Sequence, residues 1–314
     1  MKTASNVAPT WLRAIFIANL VAQTGIVVTG GLVRLTGSGL GCPTWPRCTP
    51  GSYVPVAQQP QSFHKYIEFG NRSLTSVLGI LAIASIISVL IWNSRNKKAG
   101  GVSRPAIVLL AAVPLIGTVV QAILGGITVL TGLNPATVSI HFLLSAILIG
   151  ACVLLVTRSG ENGDQPVTVL VKPVIRNLGR VLIVVAFIVL TLGTVVTGTG
   201  PHSGDANADS RFPFDPRSVS WLHADLVLLF VGLSIGMLVA LIATNGPVIS
   251  RTRAWILIAV ILVQGAIGYT QYFTGLPWLE VAFHLLGACL VWIAVTFLYL
   301  SLRRRGAPVT DLAM

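Results

Sequence analysis

Eight runs of about 20 apolar residues, each bounded by charged or Gly/Pro-rich segments, lie near 13–33, 66–92, 105–130, 137–157, 178–199, 219–243, 252–273 and 279–302. That is the length of helix that crosses the hydrocarbon core of a bilayer. Lipid offers no partners to backbone N–H and C=O groups, so such runs fold as helices that satisfy themselves. The pattern therefore predicts an all-α integral membrane protein of eight transmembrane helices. Composition agrees: 54% of residues are apolar and 10% charged, far from a soluble domain. The first run continues into Gly31-Leu32-Val33-Arg34-Leu35-Thr36-Gly37 without a small-residue cleavage site, and reads as a retained helix rather than a signal peptide.

The net charge of +12 follows topology and not a nucleic-acid surface. Lys2 and Arg13, the basic residues of 95–104, those of 158–180, Arg251 with Arg253, and Arg303 to Arg305 fall on alternate connections. By the positive-inside rule these connections and both termini are cytoplasmic. The segments near 34–65, 131–136, 200–218 and 274–278 are then extracytoplasmic. Cys42 and Cys48 lie in the first of these, where an oxidising compartment favours a disulfide over a pair of redox-active thiols. Cys152 and Cys289 fall inside apolar runs and read as small core residues.

The chain repeats itself. QAILGGITVLTGLNPATVSIHFLLSA from Gln121 overlays without a gap on QGAIGYTQYFTGLPWLEVAFHLLGA from Gln264, matching Gln121 with Gln264, Gly125 with Gly268, Thr131-Gly132-Leu133 with Thr274-Gly275-Leu276, and His141 with His284. Upstream, the Gly25–Gly30 segment matches Gly193–Gly198. Helices 1 to 4 thus correspond to helices 5 to 8. An even number of helices per unit gives both units the same orientation, so the expected architecture is a tandem repeat of two four-helix bundles. They are related by a parallel pseudo-twofold axis along the membrane normal, with units 1–160 and 161–314.

All five histidines map to the extracytoplasmic side: His64, His141, His202, His223 and His284. Ionisable groups in lipid are costly and usually functional. Imidazoles on neighbouring bundle helices are the means of supplying axial ligands to heme iron, and His223 with His284 fits that pattern in the second unit. Zinc suits the site less, because the neighbours Trp221, Leu222, Phe283 and Leu285 are apolar and add no ligands. In the first unit His141 is retained, but Asn71 occupies the position matching His223, and His64 lies two turns earlier. His64, Glu68 and Asn71 share one helix face. Glu68, an acid near the outer end of helix 2, reads either as an ion pair with Lys65 or Arg72 at helical spacing or as an acid/base or substrate-positioning group. Arg34, Lys65, Arg72, Arg211 and Arg217 at this face pair with heme propionates or with lipid phosphates. His202 and Asp205, in the polar loop after helix 5, are a weaker metal pair.

GGLVRLTGSGLGCPTWPRC followed by IEFGNR, together with the duplicated histidine helix pairs, resembles the heme A synthase family over essentially all eight helices. The resemblance implies oxidation of the heme O methyl substituent through an alcohol to the formyl group of heme A, for cytochrome c oxidase. It implies Glu68 as the catalytic carboxylate, Cys42 and Cys48 as the extracytoplasmic cysteine pair, and His141 as the ligand of the substrate heme. His223 and His284 become the axial pair of a resident heme b. It further implies a bacterial cell membrane location, heme O synthase as upstream donor, an electron acceptor, and a possible homo-oligomer. Two departures stand out: Asn71 replaces an expected histidine, and the loop after helix 5 lacks the second cysteine pair of some members. The rival readings are a diheme membrane cytochrome that only relays electrons, which needs the histidines but not Glu68, and a transporter built on parallel repeats.

Overall fold

The computed structural model describes residues 7–206, 208 and 210–305. Lys2, which the charge pattern assigns to a cytoplasmic connection, lies outside them. Eight helices follow one another: α1 (Thr10–Leu35), α2 (His64–Lys98), α3 (Pro105–Leu130), α4 (Pro135–Ser159), α5 (Pro173–Thr199), α6 (Pro216–Ala243), α7 (Val248–Phe273) and α8 (Trp278–Ser301). All eight are long and apolar enough to cross a membrane.

Most helices run a few residues past the expected apolar runs; α3 keeps the expected bounds, and α8 starts and ends one residue earlier. α3, α4, α5 and α6 start on a proline, whose missing N–H costs nothing in the first turn. Asn134 accepts a hydrogen bond from Ala136 N (2.9 Å) at the start of α4. Asp215 accepts from Ser218 N (2.7 Å) at the start of α6, and its bonds to Ser218 hold its carboxyl below the usual range. α2 runs on to Lys98 because Arg95, Lys97 and Lys98 sit in its last turn, where positive charge complements the helix dipole. Pro114 lies buried within a continuous α3. The Thr118 hydroxyl donates to its carbonyl (2.7 Å), and packed neighbours support the helix through the missing bond.

Helices α1, α2, α3 and α4 close a ring in which each packs on the next and α4 returns to α1; α5 to α8 close a second ring in the same order. The rings meet through α4, α8, α1 and α5. At that seam Trp292 donates from its indole to Ala146 O (2.7 Å), and Gly150 leaves the space its ring fills. Leu12, Phe16, Ile149, Cys152, Val295 and Leu298 are buried in the same cluster, and Cys289 with them. Within the first ring, Asn19 donates to Ser85 Oγ (3.0 Å) and Gln23 to Thr118 Oγ1 (3.1 Å), the kind of polar contact that joins helices in lipid.

One local feature repeats. α3 and α7 are each followed by Thr-Gly-Leu, whose glycine and leucine are left-handed: Gly132 at φ 64° and Leu133 at 61°, Gly275 at 82° and Leu276 at 60°. Such backbone is easy for glycine and costly for leucine, so the conformation is held by the tight turn into the next helix. At the opposite end of the bundle, β1 (Val167–Val169) pairs antiparallel with β2 (Arg303–Arg305), Val167 facing Arg305. No periodicity in the sequence announces this small sheet.

Candidate functional site

Glu68 is 5% exposed and both its oxygens are occupied. Arg72, one turn further along α2, donates from Nε (2.9 Å) and Nη2 (2.5 Å) to Oε1. The backbone N–H of Cys42 donates to Oε2 (2.6 Å). Of the two cations the helical spacing offers, the structure selects Arg72. Lys65 turns the other way, giving its ammonium to the carbonyls of Val56 (2.8 Å) and Ala57 (3.0 Å). Arg72 also donates to Cys42 O (2.6 Å) and Thr44 O (3.0 Å). Glu68 and Arg72 therefore form a two-ended clamp on the segment that carries the disulfide between Cys42 and Cys48.

The rest of that loop is fixed in the same manner. Gln59 donates to Gly41 O. A Cβ on Gly41 would stand 2.4 Å from His64 O, so only glycine lets the loop approach the start of α2 this closely. Trp45 lies over Gly126 of α3, where an added Cβ would stand 2.4 Å from its ring. The neighbouring Gly125 faces His141, 3.5 Å from Cε1 by the same measure. The disulfide loop, Glu68 and the helix pair carrying His141 are thus parts of one packed region.

The three helix histidines lie against glycines of the preceding helix. A Cβ on Gly268 would stand 3.1 Å from His284 Cε1, and one on Gly193 3.4 Å from His223 Cε1. Gln264 donates to His284 O (2.9 Å) and lies 3.1 Å from its Nδ1. Gln121 donates to His141 O (3.1 Å) and to Ser145 Oγ. The two glutamines are matched positions of the sequence repeat, and they hold the histidine turn of the next helix in the same manner. The Nδ1 atoms of His141 and His223 are buried and have no hydrogen-bond partner among the described residues.

Asn71 takes another path. Its Oδ1 accepts from the Thr29 hydroxyl (2.7 Å), and its amide nitrogen lies over Gly30, while the space beside Gly25 is open. In the second ring the residue matched to Gly25 is Gly193, which faces His223. His64 stacks on Phe63 (4.1 Å between centroids) and its Nδ1 lies 2.8 Å from Ser38 Oγ.

The remaining residues singled out in the sequence serve the loops. Arg34 donates to His202 O (2.7 Å) and Thr197 O (2.9 Å), Arg211 to Gly200 O (2.9 Å) and Ala208 O (2.8 Å), and Arg217 stacks over Trp221 (5.9 Å). The His202 ring meets Leu276 O (3.0 Å), drawing the loop after α5 onto the turn between α7 and α8.

Among the described residues no three His, Cys, Asp or Glu side chains come together as a protein-only metal site. Heme needs less, since the porphyrin supplies four nitrogens and the protein one or two. Buried imidazole nitrogens without partners, on helices separated by glycine faces, fit that demand. What reasoning from sequence passed over is the role of Gln121 and Gln264, although both stand in the repeat twenty residues before a histidine, and the seat of Trp45.

A sequence profile described as "Cytochrome oxidase assembly protein" matches residues 13–203. The chain belongs to this family. The heme A synthase of Bacillus pumilus is 31% identical over 241 residues, 72% of this chain and 74% of that one. The heme A synthase of Halalkalibacterium halodurans is 25% identical over 316 residues, 94% of this chain and 99% of its own. That of Lysinibacillus sphaericus is 33% identical over 146 residues, 46% and 44% of the two chains. Similarity that runs the length of the chain to proteins of this one name favours an enzyme over a simple electron relay.

Proposed function

We propose that this chain is a heme A synthase, a membrane oxidoreductase that converts the methyl substituent of heme O to a formyl group and so provides heme A for cytochrome c oxidase. The observation that carries the reading, beside the family, is a buried carboxylate clamped to a disulfide loop in the same packed region as His141. Taking a methyl to a formyl group is two successive two-electron oxidations with entry of one oxygen atom. An electron acceptor outside the chain has to drain the site.

In this reading residues 1–160 bind substrate and 161–314 hold a heme b, with both rings open to the extracytoplasmic face and the termini cytoplasmic. The support for that orientation is the charge asymmetry of the connections. His223 and His284 would hold heme b, which would supply one-electron transfer. His141 would orient the substrate heme, while Asn71, tied to Thr29, offers no imidazole in the first ring. Glu68 takes a proton from the reacting carbon substituent or its alcohol. Arg72 aims the carboxylate through Oε1, and Cys42 N fixes its second oxygen. Of the two arginines expected near propionates, Arg34 is the better partner, since every N–H of Arg72 is taken by Glu68 and loop carbonyls. Heme O synthase is the natural upstream donor.

Expression in a bacterial membrane that makes heme O but lacks heme A, followed by heme extraction, tests the proposal. Heme A is expected with the native chain. Glu68→Gln, which keeps shape and loses the charge, is expected to keep heme b and lower heme A formation by about a hundredfold or more. Heme b alone from the native chain would refute the assignment, and normal turnover in Glu68→Gln would refute the role of Glu68.

A further inference from the structure

The end of the bundle remote from Glu68 holds a cavity of about 160 Å³ between the β1–β2 sheet, the start of α5 and the end of α8. That is well above the roughly 15 Å³ a single water needs. Its walls carry three arginines, Arg176, Arg180 and Arg303, with Tyr299 and the apolar Val167 and Val169. Among the described residues no carboxylate lines it.

The surrounding charges leave this cavity strongly positive. Arg176 sits just past the first turn of α5, a turn with no acidic residue, so its cation faces the positive end of a helix dipole. The nearest acid, Glu161, is shared: Arg158 donates to it directly, while Arg303 Nη1 and Arg305 Nε stand 3.9 and 4.0 Å away. Asp164 is taken by Arg158 and Arg104. Burial lowers the pKa of Arg303; Glu161 opposes that, and Arg305 and Arg158 add to it. Among the described residues Arg176 Nε is buried at the cavity without a hydrogen-bond partner, and Arg303 Nη1, also buried, has only the long 3.9 Å ion pair with Glu161. A buried charged donor left without an acceptor is costly, and one such donor beside a weakly paired second points to a missing acceptor.

We infer that this cavity binds the phosphate of an anionic membrane phospholipid, with Arg176, Arg180 and Arg303 as its donors. Guanidinium forks match phosphate oxygens. The choice of a lipid over a soluble phosphate rests on the rim: Val174 is 70% exposed, and Leu170 and Val167 are exposed beside it, an apolar border that suits the glycerol and first acyl carbons of a lipid in the adjacent leaflet. The site is distinct from the histidine and Glu68 region, and its test does not depend on the enzyme assignment.

Native mass spectrometry of the full chain in detergent, titrated with phosphatidylglycerol or phosphatidylcholine, reads the binding directly. One phosphatidylglycerol is expected to bind in preference to phosphatidylcholine. Arg176→Gln with Arg180→Gln is expected to weaken it about thirtyfold, and Arg180→Gln alone about fivefold. The single variant removes an exposed side chain and keeps the test open if the double variant misfolds. Arg95→Gln with Lys97→Gln, at the same end but away from the cavity, is expected to bind as the native chain does. Equal binding of the two lipids, or native affinity in Arg180→Gln, would overturn the proposal. Displacement of the lipid by about 1 mM inorganic phosphate, at the weak end of specific affinities, would overturn the lipid assignment and reassign the arginines to a soluble phosphate.

Discussion

The first and second helix rings share one plan, and they differ where chemistry would need them to. In both, a glutamine on the third helix holds the carbonyl of a histidine on the fourth, a glycine faces that histidine, and a left-handed Gly-Leu turn joins the two helices. On the second helix they part. The second ring has His223 against Gly193. The first has Asn71, held by Thr29, and one turn away Glu68 clamped to the disulfide loop. A closed pair of imidazoles suits a permanent electron carrier, whereas a single imidazole beside a carboxylate suits a ligand that must enter, react and leave. The duplicated scaffold supplies rigidity twice, and substitution on one helix supplies the asymmetry.

The sharpest way to break this comparison is to remove one histidine from each ring. His284→Ala is expected to abolish the low-spin heme b spectrum while leaving heme O binding, and His141→Ala to abolish heme O retention while leaving that spectrum, each read by optical spectra and extraction. Loss of both pigments from either variant would mean that the rings do not hold separate sites. Next in size is Asn71→His, which gives the first ring the second ring's residue. A second axial imidazole is expected to convert the substrate heme to a low-spin form that no longer binds carbon monoxide, with turnover reduced about tenfold or more, the range a blocked reacting face implies. Unchanged carbon monoxide binding in Asn71→His would show that this position does not face the iron.

Much of this arrangement was legible in the sequence because the bilayer imposes it. Eight apolar runs have to be helices, and a gapless overlay of Gln121–Ser145 on Gln264–Ala288 already placed His141 and His284 in equivalent settings. The helix ends were less legible, since Lys98 and Pro216 extend helices by dipole and capping chemistry that hydropathy does not register. Spacing alone left Lys65 and Arg72 as equal partners for Glu68. The choice was made by the loop, whose carbonyls at Val56 and Ala57 draw Lys65 away, and contacts set by an irregular segment have no period to read. The pairing of Val167–Val169 with Arg303–Arg305 was hidden for the same reason, joining segments more than 130 residues apart through three residues each.

The disulfide is a device of the first ring alone. Closing a loop with a sequence separation of 6 stabilises by about 2 kcal/mol on a chain-entropy estimate. Cys42→Ser with Cys48→Ser is expected to lower the melting temperature of the purified protein and to leave the His223 and His284 spectrum untouched. A change in that spectrum would mean that the loop supports the second ring as well.

The smallest effect tests the feature the rings share most closely, the glycine facing each fourth-helix histidine. Exchanging a helix-interior glycine for alanine gains about 0.5–1 kcal/mol of backbone stability where space allows. At Gly125 the new Cβ would meet His141 Cε1 at 3.5 Å, an ordinary contact, so Gly125→Ala is expected to raise the melting temperature slightly. At Gly268 it would meet His284 Cε1 at 3.1 Å, and that ring has little freedom to yield because Gln264 lies 3.1 Å from its Nδ1 and bonds its carbonyl. Gly268→Ala is therefore expected to cancel the gain and to shift the heme b absorption band as the imidazole tilts. Equal behaviour of the two variants would mean that both histidines sit in slots of the same tightness, and the asymmetry of the rings would then reside on the second helix alone.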